Sequence, residues 1–173
     1  MLLLSWHKYA IYGRLMRVDK PIGTLLVAWP MLWALLLAAD GSPSLKLVLV
    51  FMLGAFLMRS AGCVINDYAD RNLDPLVSRT RQRPLATQEI TAPEAIQLFL
   101  VLCLLAATLL IFTNALTLLL APIALLLASL YPFMKRYTHL PQVFLGIAFS
   151  WSVPMAFAAV GNSVPVEAWL PVS

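Results

Sequence analysis

The stretch Arg59-Ser-Ala-Gly-Cys63-Val-Ile-Asn66-Asp67-Tyr-Ala-Asp70-Arg-Asn-Leu-Asp74, followed by Arg79-Thr80, Arg81 and Arg83-Pro84, decides how the chain reads. Its surroundings are almost continuously apolar, yet three carboxylates and five arginines gather between residues 59 and 84. The carboxylates follow the apolar run Leu47–Leu57, which predicts a helix leaving a hydrocarbon layer. Residues four apart share a helical face, so Asn66, Asp70 and Asp74 would stand about 6 Å apart along one side. Oxygen ligands at that spacing suit Mg2+, a hard cation held by one or two carboxylates together with substrate phosphates. The arginines just downstream suit the phosphates. The competing reading is a solvated loop whose charges anchor the chain at a membrane surface. Three features weigh against it: the shared face, the amide before the acids, and Arg59 about two turns deeper in apolar sequence. An ionisable residue at that depth marks function by default.

Of the 173 residues, 61% are hydrophobic and 12% charged, and the mean hydropathy is +0.85. Soluble domains carry about 25% charged residues. The composition therefore predicts an all-α, polytopic transmembrane helix bundle. Cys63 and Cys103 lie far apart in apolar segments without metal-ligand spacing, which points to packing. The net charge of +4 needs no nucleic-acid partner, because its placement explains it.

Residues 1–20 carry Trp6, Tyr9, Tyr12 and Met16 among Lys8, Arg14, Arg17 and Lys20, the pattern of a short interfacial helix with aromatic anchors. Five spans are expected within residues 21–160: about Pro21–Ala39, Leu45–Asn66, Ala95–Phe112, Leu116–Leu130 and Val143–Val160. Each is near the 18–20 residues that cross the hydrocarbon layer. Asp19-Lys20 is placed to cap the first span, and Pro154 to kink the fifth. Residues 161–173 look like the start of a sixth helix cut short, and the whole of 1–173 reads as a single membrane domain.

Lysines and arginines fix the topology. Lys8, Arg14, Arg17 and Lys20 precede the first span; Arg71, Arg79, Arg81 and Arg83 follow the second; Lys135 and Arg136 follow the fourth. With alternating spans these ten of twelve fall on one side, leaving Lys46 and Arg59. The positive-inside rule makes that side, with the N-terminus and aspartate motif, cytoplasmic.

Asn66-Asp67-x-x-Asp70-x-x-x-Asp74, with Arg79-Thr80-x-x-Arg83-Pro84-Leu85, resembles the first aspartate-rich motif of the UbiA superfamily of intramembrane prenyltransferases. The flanks Arg14-Leu-Met-Arg-Val-Asp-Lys-Pro-Ile-Gly23, Met58-Arg-Ser-Ala-Gly-Cys63, Tyr131-Pro-Phe-Met-Lys-Arg-Tyr-Thr-His-Leu-Pro-Gln142 and Trp151-Ser-Val-Pro-Met-Ala-Phe157 resemble its bacterial 4-hydroxybenzoate polyprenyltransferase branch, which serves ubiquinone biosynthesis in the inner membrane. The resemblance covers nearly all of residues 14–166. It implies a Mg2+-dependent transfer of a polyprenyl group from polyprenyl diphosphate to the ring of 4-hydroxybenzoate. It implies catalytic roles for Asp70, Asp74 and Asp67, with Asn66, Asp70 and Asp74 at the metal. Arg59, Arg79, Arg83, Lys135 and Arg136 would bind substrate, and Arg59 would otherwise pair with Asp67 or Asp70.

Members of that family have about nine helices and a second aspartate motif, whereas the only acids after Asp74 are Glu89, Glu94 and Glu167. The chain thus resembles the N-terminal part of such an enzyme and is expected to be inactive or very weak alone. A relative with another aromatic acceptor is the nearest alternative. A transporter or assembly subunit, whose charges only set topology, is the alternative from another class. The Asp-Gly-x-x-Ala-Arg pattern of CDP-alcohol phosphotransferases is absent.

Overall fold

The structure is a computed structural model that describes residues 2–134 and 140–169. No strand occurs among the described residues. The helices are α1 (Leu2–Met16), α2 (Ile22–Ala38), α3 (Leu45–Asp70), α4 (Ala92–Leu109), α5 (Ala115–Met134), α6 (Pro141–Ser150) and α7 (Ser152–Gly161). Short 3-10 turns cover Asp74–Leu76, Leu110–Phe112 and Val166–Trp169. The last of these, at the expected sixth helix, lays Trp169 edge-on against Trp151, with centroids 5.6 Å apart.

All five expected spans are helical. Four stretches are long and apolar enough to cross a membrane: Leu45–Asp70, Ala92–Phe112, Ala115–Met134 and Gln142–Gly161. Ile22–Ala38, with 17 residues, sits at the short end of the spanning range.

Local chemistry sets the boundaries. Helix α2 closes through Asp40 and Gly41, both at positive φ, and the Gly41 N–H donates to Leu36 O at 2.8 Å. That is the left-handed exit glycine favours. Its start is Pro21 with no side-chain cap, so Asp19-Lys20 does not play the capping role expected of it. Proline lacks the N–H that a cap would satisfy. Helix α4 opens with a capping box: Glu94 Oε2 accepts from the Thr91 N–H at 2.9 Å, and Thr91 Oγ1 accepts from the Glu94 N–H at 3.4 Å. The fifth span breaks at Trp151, three residues before Pro154. The proline ring displaces the carbonyl four residues back, that of Ser150. Trp151 Nε1 also donates across to Leu120 O at 3.1 Å.

Helix α3 is the axis. One cluster joins it to α1 and α4 through Ile11, Leu15, Leu57, Val64, Ile90 and Leu102; a second joins it to α2 and α7 through Met31, Leu35, Phe51 and Ala156. Lipid is as apolar as leucine, so such helices associate by close packing and not by hydrophobic expulsion. Ala28, Ala34, Ala55, Ala61, Ala95 and Ala156, all buried, let the backbones approach. Tyr12 and Met16, expected as interfacial anchors, pack partly buried against the first cluster, while Tyr9 is exposed. The Trp6 side chain lies outside those described.

The neighbours alternate in direction. Gly23 at the start of α2 meets Arg59 in the second half of α3, and Lys46 at the start of α3 meets the Phe112 ring after α4. At that far end Asn114 Oδ1 accepts from the Thr117 N–H at 2.9 Å, while Asn114 Nδ2 donates to Ala158 O in α7. The N-terminal segment, the end of α3 and the 71–91 connection consequently share one end of the bundle.

Candidate functional site

At that shared end, α3 delivers Arg59, Asn66, Asp67 and Asp70, and the connection delivers Asp74 and Arg83. The connection is not a solvated strap. Leu85 and Ile90 enter the core, and Asp74 and Thr80 are buried, with Thr80 Oγ1 donating to Asp74 O at 3.0 Å.

The helical face expected to carry Asn66, Asp70 and Asp74 holds only the first two. Helix α3 stops at Asp70, and Asp74 begins a separate turn. The cause is Pro75, whose ring would clash with the Arg71 carbonyl four residues back and which cannot donate to the ladder. Arg83 Nη1 donates to both oxygens of Asp74, at 3.1 and 2.9 Å. The same nitrogen lies 3.0 Å from Asp67 Oδ1, which also accepts from Arg17 Nη2 at 2.8 Å. Asp67, 1% exposed, thus bridges two arginines, and one of these also holds Asp74.

Arg59 makes no ion pair among the described residues. It donates to the Cys63 thiol and lies against Gly23 so closely that a Cβ there would collide with the guanidinium. Cys63 is therefore a polar contact at the site as well as a packing group; it and Cys103 are free thiols. Arg79 is exposed and lies away from the cavity described next. Lys135 and Arg136 fall outside the described residues.

Arg17, Arg59, Asn66 and Arg83 line one end of a cavity of about 660 Å³. The cavity runs between α3, α4, α5 and the α6–α7 span to Thr113 and Thr117 at the other end. Its α3 wall extends from Val50 to Asn66, about 24 Å at 1.5 Å per residue. That wall is apolar from Val50 to Met58 and then carries Arg59, Cys63 and Asn66. An extended apolar ligand with an anionic head matches this division.

Among the described residues no three His, Cys, Asp or Glu side chains cluster so as to hold a metal ion. The donors that fit Mg2+ are Asn66 and Asp70, one helical turn apart. One or two protein oxygens plus phosphate suffice for that ion. Asp74 fits less directly, since both its oxygens accept from Arg83.

A model of the UbiA prenyltransferase family matches residues 27–173. The chain belongs to this family. It is 58% identical over 166 residues to the 4-hydroxybenzoate octaprenyltransferase of Hydrogenovibrio crunogenus, covering 95% of this chain and 58% of that protein. The enzyme of the same name from Vibrio parahaemolyticus is 56% identical, with 96% and 58% covered. The chain therefore spans a little over half the length of these relatives. Among solved structures, a UbiA homologue from Archaeoglobus fulgidus bound to GPP and Mg2+ superposes with a TM-score of 0.76 at 20% identity, covering 92% of this chain and 57% of that one. The apo UbiA homologue from Aeropyrum pernix K1 gives 0.72 at 26% identity, with 83% and 54% covered. The UbiA fold is shared across this range of sequence.

Sequence reasoning missed Arg17 and Gly23. Nothing local separates Arg17 from Arg14, because its partner is fifty residues away. Gly23 would have stood out only as a small residue opposite a half-buried arginine, which is a tertiary fact.

Proposed function

We propose that the chain forms the diphosphate-binding part of a Mg2+-dependent 4-hydroxybenzoate polyprenyltransferase of ubiquinone biosynthesis. The carrying observation is the elongated apolar cavity that ends in Arg17, Arg59, Asn66 and Arg83. The names of the relatives that match almost the whole chain support the same reading. In this reading the cavity takes the polyprenyl tail and its polar end takes the diphosphate.

Diphosphate leaves an allylic carbon only when its developing charge is neutralised. Arg17 and Arg83 supply cationic N–H donors at that point, and Asn66, Asp70 and Asp74 would hold Mg2+. The bound Mg2+ adds Lewis-acid charge stabilisation. The apolar wall keeps water from the cation that forms. That cation alkylates the 4-hydroxybenzoate ring ortho to the hydroxyl, and loss of the ring proton restores aromaticity. Arg59, with Lys135 and Arg136, would receive the benzoate carboxylate or the diphosphate; Arg79 would help close the connection over the site. Charge placement supports an orientation with the N-terminus and aspartate motif on the cytoplasmic side, and the names of the relatives support a bacterial inner membrane.

The test is binding of a polyprenyl diphosphate to the purified, detergent-solubilised chain with and without Mg2+. Metal-dependent binding that disappears in Asp70→Ala/Asp74→Ala is the expected result. Binding that ignores both the metal and these substitutions would refute the assignment.

A further inference from the structure

Asp67 stands between two proposed metal ligands in sequence, Asn66 and Asp70, but differs from both in its surroundings. One residue of α-helix turns about 100°, so it occupies another face of α3 from Asn66. Asn66 and Asp70 are half-buried, whereas Asp67 is buried, and of the three only Asn66 lines the cavity. The two side chains that grip Asp67, Arg17 and Arg83, both do. A carboxylate that faces away from the ligand space yet holds two groups facing into it acts through those groups.

The backbone at Arg17 adds an independent observation. Arg17 has φ 57°, the left-handed exit from α1, and the Val18 N–H reaches Gly13 O at 3.0 Å. Glycine is the usual residue at such an exit, and an L side chain there costs roughly 1–2 kcal/mol. A conformation of that cost persists where the surroundings over-determine it. What arginine provides that glycine could not is the guanidinium on Asp67. Of these two guanidiniums, the described carboxylates engage Nη2 of Arg17 and Nη1 of Arg83. A guanidinium has five N–H donors, so each arginine keeps further donors for an anion.

We infer that Asp67 is a positioning residue and not a metal ligand: it sets Arg17 and Arg83 side by side as a clamp for the diphosphate head. Without the shared carboxylate the two guanidiniums would repel each other and lose their common register. This inference rests on the diphosphate reading of the cavity and deepens it. It also gives the N-terminal segment a part in the site, since Arg17 is carried by the α1–α2 joint.

The experiment compares two acids three residues apart. Farnesyl diphosphate is titrated against the whole detergent-solubilised chain, once in Mg2+ and once in EDTA, and the ratio of the two affinities is recorded. Asp67→Asn should weaken binding about tenfold in both media, on the scale of a hydrogen bond to a charged group, and leave the Mg2+ ratio at its wild-type value. Asp70→Asn should instead weaken binding only in Mg2+ and bring the ratio to one. Arg17→Gln should reproduce the Asp67→Asn pattern from the other partner, and the double variant should be no weaker than either single one. The Arg17 variant also keeps the comparison valid if Asp67→Asn does not fold. Collapse of the Mg2+ ratio in Asp67→Asn, or additive losses in the double variant, would overturn the inference while leaving the diphosphate reading intact. A wild-type chain that binds no diphosphate in either medium would overturn both.

Discussion

Helices α3 and α5 have the same mean hydropathy, 2.1 over the most apolar window, yet 44% of that window is buried in α3 and 11% in α5. Hydropathy marks both as membrane segments and says nothing of this difference. Side-chain size and polarity account for it. Along α3 the buried positions include Ser60, Ala61, Cys63, Asp67 and Ala69, small or hydrogen-bonding groups that let neighbours close in. Along α5 leucine is the commonest residue, and Leu118 and Leu119 are more than half exposed. The helix that carries charged residues is the one that organises the bundle.

The sharpest break in that comparison is at Asp67. Replacing it with alanine leaves Arg17 and Arg83, 27% and 20% exposed, without their shared carboxylate. Removing one member of a buried pair typically costs about 3–5 kcal/mol. Leu119→Ala on α5, 71% exposed, should cost almost nothing. Denaturant titration of both variants in mixed micelles measures the gap, and equal losses would show that the difference in burial carries no energy. Ala61, 1% exposed on α3, comes next: leucine there would overpack the contact with α1 and α4 by about 1–3 kcal/mol. The same denaturation should report a lower midpoint for Ala61→Leu, while Ala115→Leu at the exposed start of α5 stays near wild type.

Gly23→Ala sharpens the comparison at the site itself. The nearest atoms to the added methyl belong to the end of the flexible Arg59 side chain, so the fold should survive and the guanidinium should move. Diphosphate or benzoate affinity is expected to fall about tenfold, or 1.4 kcal/mol, with little change in melting temperature. Unchanged affinity for both ligands would remove Arg59 from the site.

What was legible in the sequence divides along the same line. Every span was visible as an apolar run, and the aspartate motif and Arg83 stood out because charge is rare in such a chain. Pro154 announced the break in the last span, although the bend falls three residues earlier, where the lost hydrogen bond is felt. The exit of α3 was misjudged by following the four-residue spacing through Asp74, past the signal in Pro75. The pairing of Arg17 with Asp67 was beyond reach, because it joins residues fifty apart through a left-handed joint that arginine rarely occupies. Local rules thus give the helices and the chemistry they can carry. Long-range pairing decides which acid faces a ligand and which faces an arginine.

The smallest effect belongs to the exposed pair that ties α1 to α4. Lys8 Nζ donates to Glu94 Oε1 at 2.7 Å, and the carboxylate holds the ammonium above its ordinary pKa. A raised pKa in the folded state means that Lys8 stabilises the fold throughout the range below its unfolded value, about 10.4. The contribution is then lost as pH rises through the folded value. Exposed pairs contribute little because water and salt screen them. Lys8→Gln should therefore lower the melting temperature by a barely resolved amount at neutral pH, and the two chains should converge above the lysine range. A large loss at neutral pH would mean that α1 is held mainly by its charges and not by Ile11 and Leu15, and the clamp at Arg17 would then depend on the whole row of N-terminal ion pairs.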